Sequence, residues 1–487
     1  MSKKYAVVCT NPPYMGKLEG KLKEFVIDNY KPYSGDLFSV FMYRNFGYCK
    51  ADGYSAFMTP FVWMFIKTYE QLRDYIISNK SICTLVQMEY SAYEEATVPI
   101  CSFVLKNGNN VAKGLYIRLS DFRGGMDVQK KKVLEAISDK DCTYLYESKN
   151  SDFKKIPASP IAYWISNGVL QAFASGDNLG THALARNGMK TGDNNRFLRL
   201  WWEVNKNKFN STTKSYTEAE TINAKWFPYN KGGEYRKWYG NNDYIVNWQN
   251  CGDLIFNHAK ADGRNVQDYP SELKFVPSLS WSLITSSKPA FRYKECNLSD
   301  IAGMSLFATK DKIIRYLGLL NSDVALEILK LLAPTINFQA GDIARVPIIP
   351  KINSNDNIIP IVEENISLSK SDWDSFETSW DFKEHPLVRL SKDLWDSTAV
   401  GASMSYYYGG HPKVDSPLEL CYMLWQGECN ERFKQLKANE EELNRIFIDI
   451  YGLQDELTPA VEDKDVTVRK ADLQRDILNT QLNPMKT

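Results

Sequence analysis

The stretch Tyr5-Ala-Val-Val-Cys-Thr-Asn-Pro-Pro-Tyr14 contains the most informative turn of this chain. Its apolar first half predicts a short buried strand. Pro12 and Pro13 end that strand, because a proline has no N–H to continue a ladder of hydrogen bonds. The turn then offers two acceptors, the Asn11 side-chain oxygen and the Pro12 carbonyl, beside the ring of Tyr14. This combination suits a planar group that carries an NH2, such as the amino edge of adenine; the alternative is an Asn-Pro turn with a buried tyrosine.

The composition is that of a globular protein. A length of 487 residues favours about three domains, and 44% apolar residues lie far above the range of disordered chains. No segment reaches the roughly 18 consecutive apolar residues that span a bilayer. No charged-then-apolar leader opens the chain, so we expect a cytoplasmic protein without a membrane partner.

The cysteines and histidines predict neither a metal site nor a disulfide framework. The nine cysteines form no Cys-x-x-Cys pair. The four histidines are scattered, at His182, His258, His385 and His411. We therefore expect reduced structural thiols.

The charges are unevenly distributed although the formal net charge is zero. Residues 186–240 hold eleven Lys/Arg and five Asp/Glu, whereas residues 361–400 hold four basic and nine acidic residues. A split of this kind focuses a polyanion onto one face, or it is ordinary variation of the surface. Charge alone leaves both interpretations open.

The first third of the chain alternates strand and helix signals. We predict, in order, a helix from Asp36, a strand over 53–60, a helix over 63–78, and two strands over 82–88 and 98–106 that pair antiparallel. Such alternation implies a sheet covered by helices, which is the α/β class. A more polar segment at 107–160 predicts the exit from this domain.

Two further regions follow. Region 160–350 is rich in Trp, Tyr, Asn and Gly, and ends with a predicted helix over 313–332, a stop at Pro334 and an edge strand over 346–350. Residues 431–451 have the apolar spacing of a helix, with Gly452 as its stop. We predict three domains, with boundaries at 1–155, 156–350 and 351–487.

Segments of the first region resemble, in order and spacing, the motifs of the amino-group DNA methyltransferases. Asn11–Tyr14 resembles motif IV, Asp36-Leu-Phe38 the helical motif after it, 53–63 the glycine-opened strand ending in proline, and 97–103 a late strand lining the base pocket. Residues 188–201, 225–240 and 376–382 are similar to the adenine-specific methyltransferases of BREX phage-defence systems, relatives of the type IIG restriction-modification enzymes. This resemblance extends to about residue 476.

The resemblance implies an architecture for each predicted domain. Residues 1–155 would form a partial Rossmann-like methyltransferase sheet, with the late strands only. Residues 156–350 would form a mixed α+β target-recognition domain, and residues 351–487 a helical C-terminal region. The implied activity is site-specific methylation of adenine N6 in bacterial phage defence, with S-adenosylmethionine as cofactor.

The family's cofactor loop is not found ahead of motif IV here. That loop is rich in glycine, follows a buried strand and opens a helix. The glycine pairs Gly124-Gly125, Gly232-Gly233 and Gly409-Gly410 predict turns instead. We therefore expect a chain that is inactive without a missing N-terminal half or another phage-defence subunit. Without that neighbour, the motif IV strand becomes an exposed apolar sheet edge.

By the same resemblance, the turn grips a flipped adenine. Asn11 and Pro12 would accept the two N6 hydrogens, with Pro13 completing the rigid turn and Tyr14 stacking on the base. Asp36 and Phe103 are weaker candidates for the base pocket, and a core role is at least as reasonable for Phe103. No general base is evident, so placement and electrostatics would supply the rate.

Target recognition in double-stranded DNA would fall to the middle region. The basic candidates for phosphate or guanine contacts are Arg186, Lys190, Arg196, Arg199, Lys231, Arg236 and Lys237. For each of them the alternative is a solvated surface charge. No nuclease motif is evident.

Two other functions remain open. Enzymes that methylate the side-chain amide of a protein glutamine share Asn-Pro-Pro-Tyr, although they do not need the long middle region. A non-catalytic DNA-recognition or assembly subunit would fit a chain without the cofactor loop.

Overall fold

The computed structural model describes residues 3–89, 98–109, 113–264, 266–285, 288–333, 336–398 and 417–471. The chain divides into two compact units, residues 1–176 and 177–487. Thr97, Pro334, Gly409-Gly410, His411 and the stretch around residue 476 lie outside the described residues. Several sequence-based expectations about motif and turn positions fall there.

The first unit is an α/β layer structure, as predicted. Its elements are β1 (Tyr5–Thr10), α1 (Gly20–Tyr30), α2 (Leu37–Phe46), β2 (Cys49–Pro60), α3 (Glu70–Asn79), β3 (Ser81–Gln87), β4 (Ile100–Lys106), β5 (Gly114–Arg118), α4 (Gly125–Ser138), β6 (Leu145–Ser148), α5 (Asn150–Phe153) and α6 (Asn167–Ser175). The six strands form one mixed sheet in the order β1-β2-β4-β3-β5-β6.

Four strands of this sheet run in the same direction. β1 is parallel to β2, and β3 is parallel to β5. β4 is antiparallel to both β2 and β3, so β2 and β3 also share a direction. The carboxyl ends of β1, β2, β3 and β5 therefore lie at one edge of the sheet. The predicted antiparallel pairing of the strands at 82–88 and 98–106 is confirmed.

β1 lies at the end of the sheet. It pairs with β2 and with no other strand of the described residues. Its side chains are largely exposed, with 49% of Tyr5 and 59% of Val7 accessible to solvent. An apolar strand in this position is a template for pairing with another strand.

One helix of the first unit is shorter than the sequence predicts. The helix predicted over 63–78 begins only at Glu70. The guanidinium of Arg73 binds the carbonyls of Trp63 (2.9 Å) and Ile66 (2.7 Å), which ends the preceding short turns. Both carbonyls are thereby satisfied without a continuous helix.

The segment 107–160 does not leave the domain, contrary to the sequence prediction. β5 extends the sheet beside β3, and β6 extends it beside β5. Buried side chains of the same segment, such as Tyr116 and Phe153, join the core. The contact boundary falls after residue 176 rather than near 155.

The second unit combines three small sheets with a helical layer. Its elements are β7 (Asp177–Asn178), α7 (Leu179–His182), β8 (Leu184–Arg186), α8 (Asn194–Phe197), β9 (Leu198–Leu200), α9 (Tyr216–Thr221), β10 (Trp226–Asn230), β11 (Tyr244–Asn247), α10 (Asp253–Ala261), β12 (Ser278–Ser282), β13 (Phe291–Lys294), β14 (Leu298–Ser299), β15 (Gly303–Phe307), α11 (Lys310–Leu320), α12 (Asp323–Leu332), α13 (Ala340–Ile343), β16 (Pro347–Ile348), α14 (Pro350–Ser354), α15 (Ile358–Trp373), α16 (Pro386–Thr398) and α17 (Pro417–Tyr451). The sheets have the orders β14-β10-β11-β9, β13-β12-β15-β8 and β16-β7.

The helices of the second unit differ from the prediction in two places. The helix predicted over 313–332 is two helices, because Asn321 bonds the backbone of Phe291 and Ser322 caps α12 through Ala325 N. The helix predicted over 431–451 begins at Pro417 and is 35 residues long.

Tertiary contacts do not divide the second unit at the boundary predicted near residue 350. α15 and α17 pack on α11, which precedes that boundary. The predicted edge strand at 346–350 is present as β16, paired with β7. Within the described part, no helix is both long and apolar enough to cross a membrane.

Candidate active site

The Asn-Pro-Pro-Tyr turn lies at the sheet edge formed by the carboxyl ends of the parallel strands. β1 ends at Thr10, directly before the turn. Asn11 is exposed, Pro12 is buried and Tyr14 is half-buried. The Asn11 amide therefore stands where a ligand approaching this edge would meet it.

The Tyr14 hydroxyl orients Asn11. It lies 2.9 Å from Asn11 Oδ1 and 3.1 Å from the carbonyl of Met58 in β2. The Tyr14 ring meets Phe38 edge-on, with centroids 6.3 Å apart. An amide oxygen has two lone pairs, so Asn11 Oδ1 keeps one acceptor site beyond this contact. No described residue hydrogen-bonds to the Pro12 carbonyl.

Asp36 holds the turn in place from the start of α2. Its Oδ1 accepts hydrogen bonds from Met15 N (2.8 Å) and Phe38 N (3.1 Å). Leu37 N donates in return to the Met15 carbonyl (3.2 Å). Burial and the charge of Asp36 raise the pKa of Tyr69 nearby. These contacts give Asp36 a positioning role, and its place in the base pocket stays a prediction.

Phe103 belongs to the core, and its assignment to the base pocket is corrected. Only 1% of Phe103 is accessible, and its ring packs on Phe57 (5.4 Å) and Trp63 (5.0 Å). In β4, Cys101 and Phe103 are buried whereas Ser102 between them is exposed. This alternation turns Phe103 toward the helix-covered face.

Sequence reasoning missed a buried polar pair at the same edge. Tyr163 donates to Gln87 Oε1 (2.8 Å) at the end of β3. Burial raises the pKa of Tyr163 well above its usual value, which keeps the phenol a donor. The two residues are 76 positions apart, so no local pattern connects them.

The turn Gly124-Gly125 corrects a second expectation. It follows β5 and opens α4, with Gly124 at φ +128° as the residue before the helix. Gly125 N donates to the buried carboxylate of Glu89 (2.6 Å). Because Glu89 occupies this amide at the helix start, the turn does not fit a cofactor cradle. The Gly124-Gly125 turn therefore does not supply the glycine-rich loop that the resemblance assigns to S-adenosylmethionine.

Three of the seven basic candidates are exposed. These are Arg186, Lys190 and Arg196. Nη1 of Arg186 lies 3.2 Å from the adjacent Ala185 carbonyl, and Nη1 of Arg196 lies 3.5 Å from His258 Nδ1. No ion pair to Lys190 is found within the described ranges.

Two more basic candidates are partly engaged by the protein. Arg199 donates to the carbonyls of Asn195 and Leu198, both at 2.6 Å. Lys231 lies 3.3 Å from the buried carboxylate of Asp300. The turn after Lys231 needs Gly232, which has φ +81° and whose Cβ position would lie 2.8 Å from the Ala302 carbonyl.

The remaining two, Arg236 and Lys237, are turned inward, and their assignment as DNA contacts is corrected. Arg236 pairs with Asp372 at 2.9 Å. Lys237 pairs with Glu440 at 2.5 Å, with side chains 7% and 4% accessible. Trp238 Nε1 donates to the other oxygen of Glu440 (2.7 Å). Part of the charge split between 186–240 and 361–400 is thus internal pairing.

Within the described residues, no group of three or more His, Cys, Asp or Glu side chains could hold a metal ion. All nine cysteines are free thiols.

Proteins of similar sequence are restriction-modification and adenine-specific methyltransferases. Residues 1–93 match the family described as Eco57I restriction-modification methylase. Over 493 residues the chain is 39% identical to the adenine-specific methyltransferase PglX of Lacticaseibacillus casei (strain Zhang), which covers 98% of this chain and 39% of that protein. Over 469 residues it is 30% identical to the adenine-specific methyltransferase BrxX of Escherichia coli O9:H4 (strain HS), covering 94% of this chain and 35% of that protein.

Solved structures show a more distant likeness. The Type IIL restriction-modification enzyme MmeI, in complex with DNA, aligns with a TM-score of 0.49 and 11% identity, covering 93% of this chain and 55% of that one. The chain spans well under half the length of the two curated relatives. By sequence, the chain is a homologue of the PglX and BrxX adenine-specific methyltransferases over nearly its whole length, and it corresponds to 39% and 35% of those proteins.

Proposed function

We propose that this chain supplies the adenine-gripping turn and the target-recognition part of a site-specific DNA adenine-N6 methyltransferase in phage defence. The observation that carries the proposal is the Asn11–Pro12 acceptor pair at the sheet edge where four parallel strands end. The relatives named adenine-specific methyltransferases support it.

The proposed role of the turn is to make the adenine amine a nucleophile. The N6 lone pair is delocalised into the ring, so the free amine reacts poorly. Asn11 Oδ1 and the Pro12 carbonyl would each accept one N6 hydrogen, which favours a tetrahedral nitrogen with its lone pair directed outward. The Tyr14 hydroxyl holds Asn11, and Asp36 holds the backbone at Met15. Catalysis would therefore come from placement.

The methyl group would come from S-adenosylmethionine bound outside the described residues. The proposed partner is the N-terminal methyltransferase half or another phage-defence subunit. The exposed apolar edge of β1 supports such pairing, because a further strand would satisfy its open ladder.

Duplex DNA is the proposed macromolecular substrate. Arg186, Lys190 and Arg196 remain candidates for phosphate or base contacts because they are exposed. Lys231 and Arg199 are secondary candidates, since each already contacts the protein.

The experiment is a methyl-transfer assay on duplex DNA with labelled S-adenosylmethionine. The 487-residue chain is assayed alone and together with a polypeptide carrying a glycine-rich cofactor loop. We expect N6-methyladenine with the second polypeptide present. Duplex binding without any methylation in either mixture would instead favour a non-catalytic recognition subunit. Methylation of a glutamine-containing protein, with none on DNA, would favour the glutamine-amide alternative.

A further inference from the structure

A shallow open depression of about 580 Å³ lies on the second unit. We call it the amide groove. Its polar lining comes from the end of β8, the loop before Pro270 and the start of α13, and contains Arg186, Asn187, Gln267, Asp268, Tyr269 and Gln339. The Arg, Asn and Gln side chains among them are of the types that pair with purine edges.

Small residues also line the amide groove. Ala185, Ala340, Gly341 and Ala344 line it between the polar side chains. A Cβ added at Gly341 would meet no atom within 4 Å. These small side chains leave room for a large ligand beside the polar ones.

Arg186, Asn187 and Gln267 are exposed, and most of their side-chain hydrogen-bonding groups have no partner in the described part of the protein. Arg186 contacts only its neighbouring carbonyl among the bonds found in the described part of the chain. The side-chain amides of Asn187 and Gln267 have no protein hydrogen bond there. Their donors and acceptors are consequently available to a ligand.

The charge of the groove suits a polyanion. Its one carboxylate, Asp268, pairs with Lys274 Nζ at 2.7 Å. Lys190 stands next to the groove, and its backbone N donates to the Gln267 carbonyl (2.9 Å), which joins the two rim loops. Two cations, Arg186 and Lys190, beside a neutralised carboxylate would attract phosphates without repelling base edges.

We infer that the amide groove reads bases of the target duplex, with Arg186 on a guanine and Asn187 or Gln267 on an adenine. Arg fits guanine O6 and N7 with two bonds, and Asn or Gln fits adenine N6 and N7 in the same way. Lys190 contributes a phosphate contact that carries no sequence information. This inference rests on the proposed function, since it names the residues that select the methylated site.

The test is selection of binding sites from a random duplex library by the 487-residue chain. Variants R186A, R186K, N187A and Q267A are compared with R445A and Q454A, which alter exposed residues of the same unit outside the groove. We expect each groove variant to lose preference at one or two base pairs by about 10- to 100-fold, with the rest of the motif unchanged. R186K should lose guanine preference while keeping the salt dependence of binding. Lysine keeps the positive charge but lacks the planar guanidinium that makes two parallel hydrogen bonds.

Two results would overturn the inference while leaving the proposed function intact. One is an identical motif for the wild type and every groove variant. The other is a uniform loss of affinity over all sequences, which marks phosphate contacts alone. A wild-type chain that enriches no motif would count against the proposed recognition function itself.

Discussion

The turn at residues 11–14 and the segment at 231–238 use polar groups in opposite ways. In the turn, Asn11 is exposed at a sheet edge and is held by a hydroxyl of its own turn, Tyr14. In the segment, Lys237 and Arg236 reach carboxylates 203 and 136 residues away; Lys237 is buried with its partner and Arg236 is partly buried. Groups satisfied locally leave one side free for a ligand, whereas groups satisfied across the fold become part of its framework.

The largest expected effect on stability comes from breaking the Lys237–Glu440 pair, which tests whether this segment belongs to the framework of the fold. Lys237→Met leaves the Glu440 carboxylate buried without its cation, and burial already raises the pKa of Glu440. We expect the free energy of unfolding to fall by about 3–5 kcal/mol, measured by urea denaturation. Adding Glu440→Gln should recover much of the loss, since it removes the charge and keeps an acceptor for Trp238.

The matched control for that variant is Arg186→Ala at an exposed basic position, which should change stability by less than about 0.5 kcal/mol. If Lys237→Met weakened DNA binding without lowering stability, the segment at 231–238 would instead belong to the DNA-contacting surface.

The second effect tests whether Phe103 belongs to the core. Phe103→Ala removes a ring packed between Phe57 and Trp63. We expect a loss of about 3–5 kcal/mol in unfolding free energy. Phe103→Leu should cost less and leave methyl transfer by the reconstituted enzyme unchanged. A stable Phe103→Leu variant with a large loss of methylation would restore Phe103 to the base pocket.

The third effect is smaller and concerns Asp36. Asp36→Ala removes the cap of α2 and should cost about 1 kcal/mol. The Met15 amide, which Asp36 binds, should then exchange its hydrogen faster, as measured by hydrogen–deuterium exchange. Asp36→Asn keeps an acceptor and should restore part of the protection. Ser215→Ala removes the corresponding cap of α9 and serves as control, with unchanged exchange at Met15. If the Met15 amide exchanged equally fast in Asp36→Ala and in the wild type, Asp36 would not be what holds the turn in place.

The smallest effect is a pH dependence at an exposed site. Hydrogen bonds from Lys437 and Lys470 lower the pKa of Asp463 to about 2. A carboxyl whose folded pKa is depressed contributes stability above its ordinary pKa of about 4, and loses it as the pH falls toward the folded value. Asp463→Asn should therefore lower the thermal midpoint slightly at neutral pH, with the difference shrinking below about pH 4. A difference that grew on acidification would contradict the assignment.

The parts of the fold predictable from sequence were those set by near neighbours. Two prolines end β1, and Asp36 begins α2 two residues before Phe38, whose amide it binds. The break between α11 and α12 was not predictable, because the apolar spacing continues through it and its cause is the contact of Asn321 with Phe291.

The same distinction between local and distant contacts applies to the candidate site. The Asn11–Tyr14 contact spans three residues, so the motif itself encodes it. Glu89 closes the helix start at Gly125 from 36 residues away. Such a contact depends on strand order, and strand order is decided by the whole sheet.

The most direct test of the central claim measures methyl transfer and duplex affinity together for Asn11→Ala in the reconstituted enzyme. Asn79→Ala, which alters the exposed last residue of α3, is the matched control. Because we propose that Asn11 accepts a hydrogen of the adenine amine, we predict a fall in kcat of about 100- to 1,000-fold with duplex affinity nearly unchanged. A kcat equal to that of wild type, or a parallel loss of affinity and rate, would contradict it.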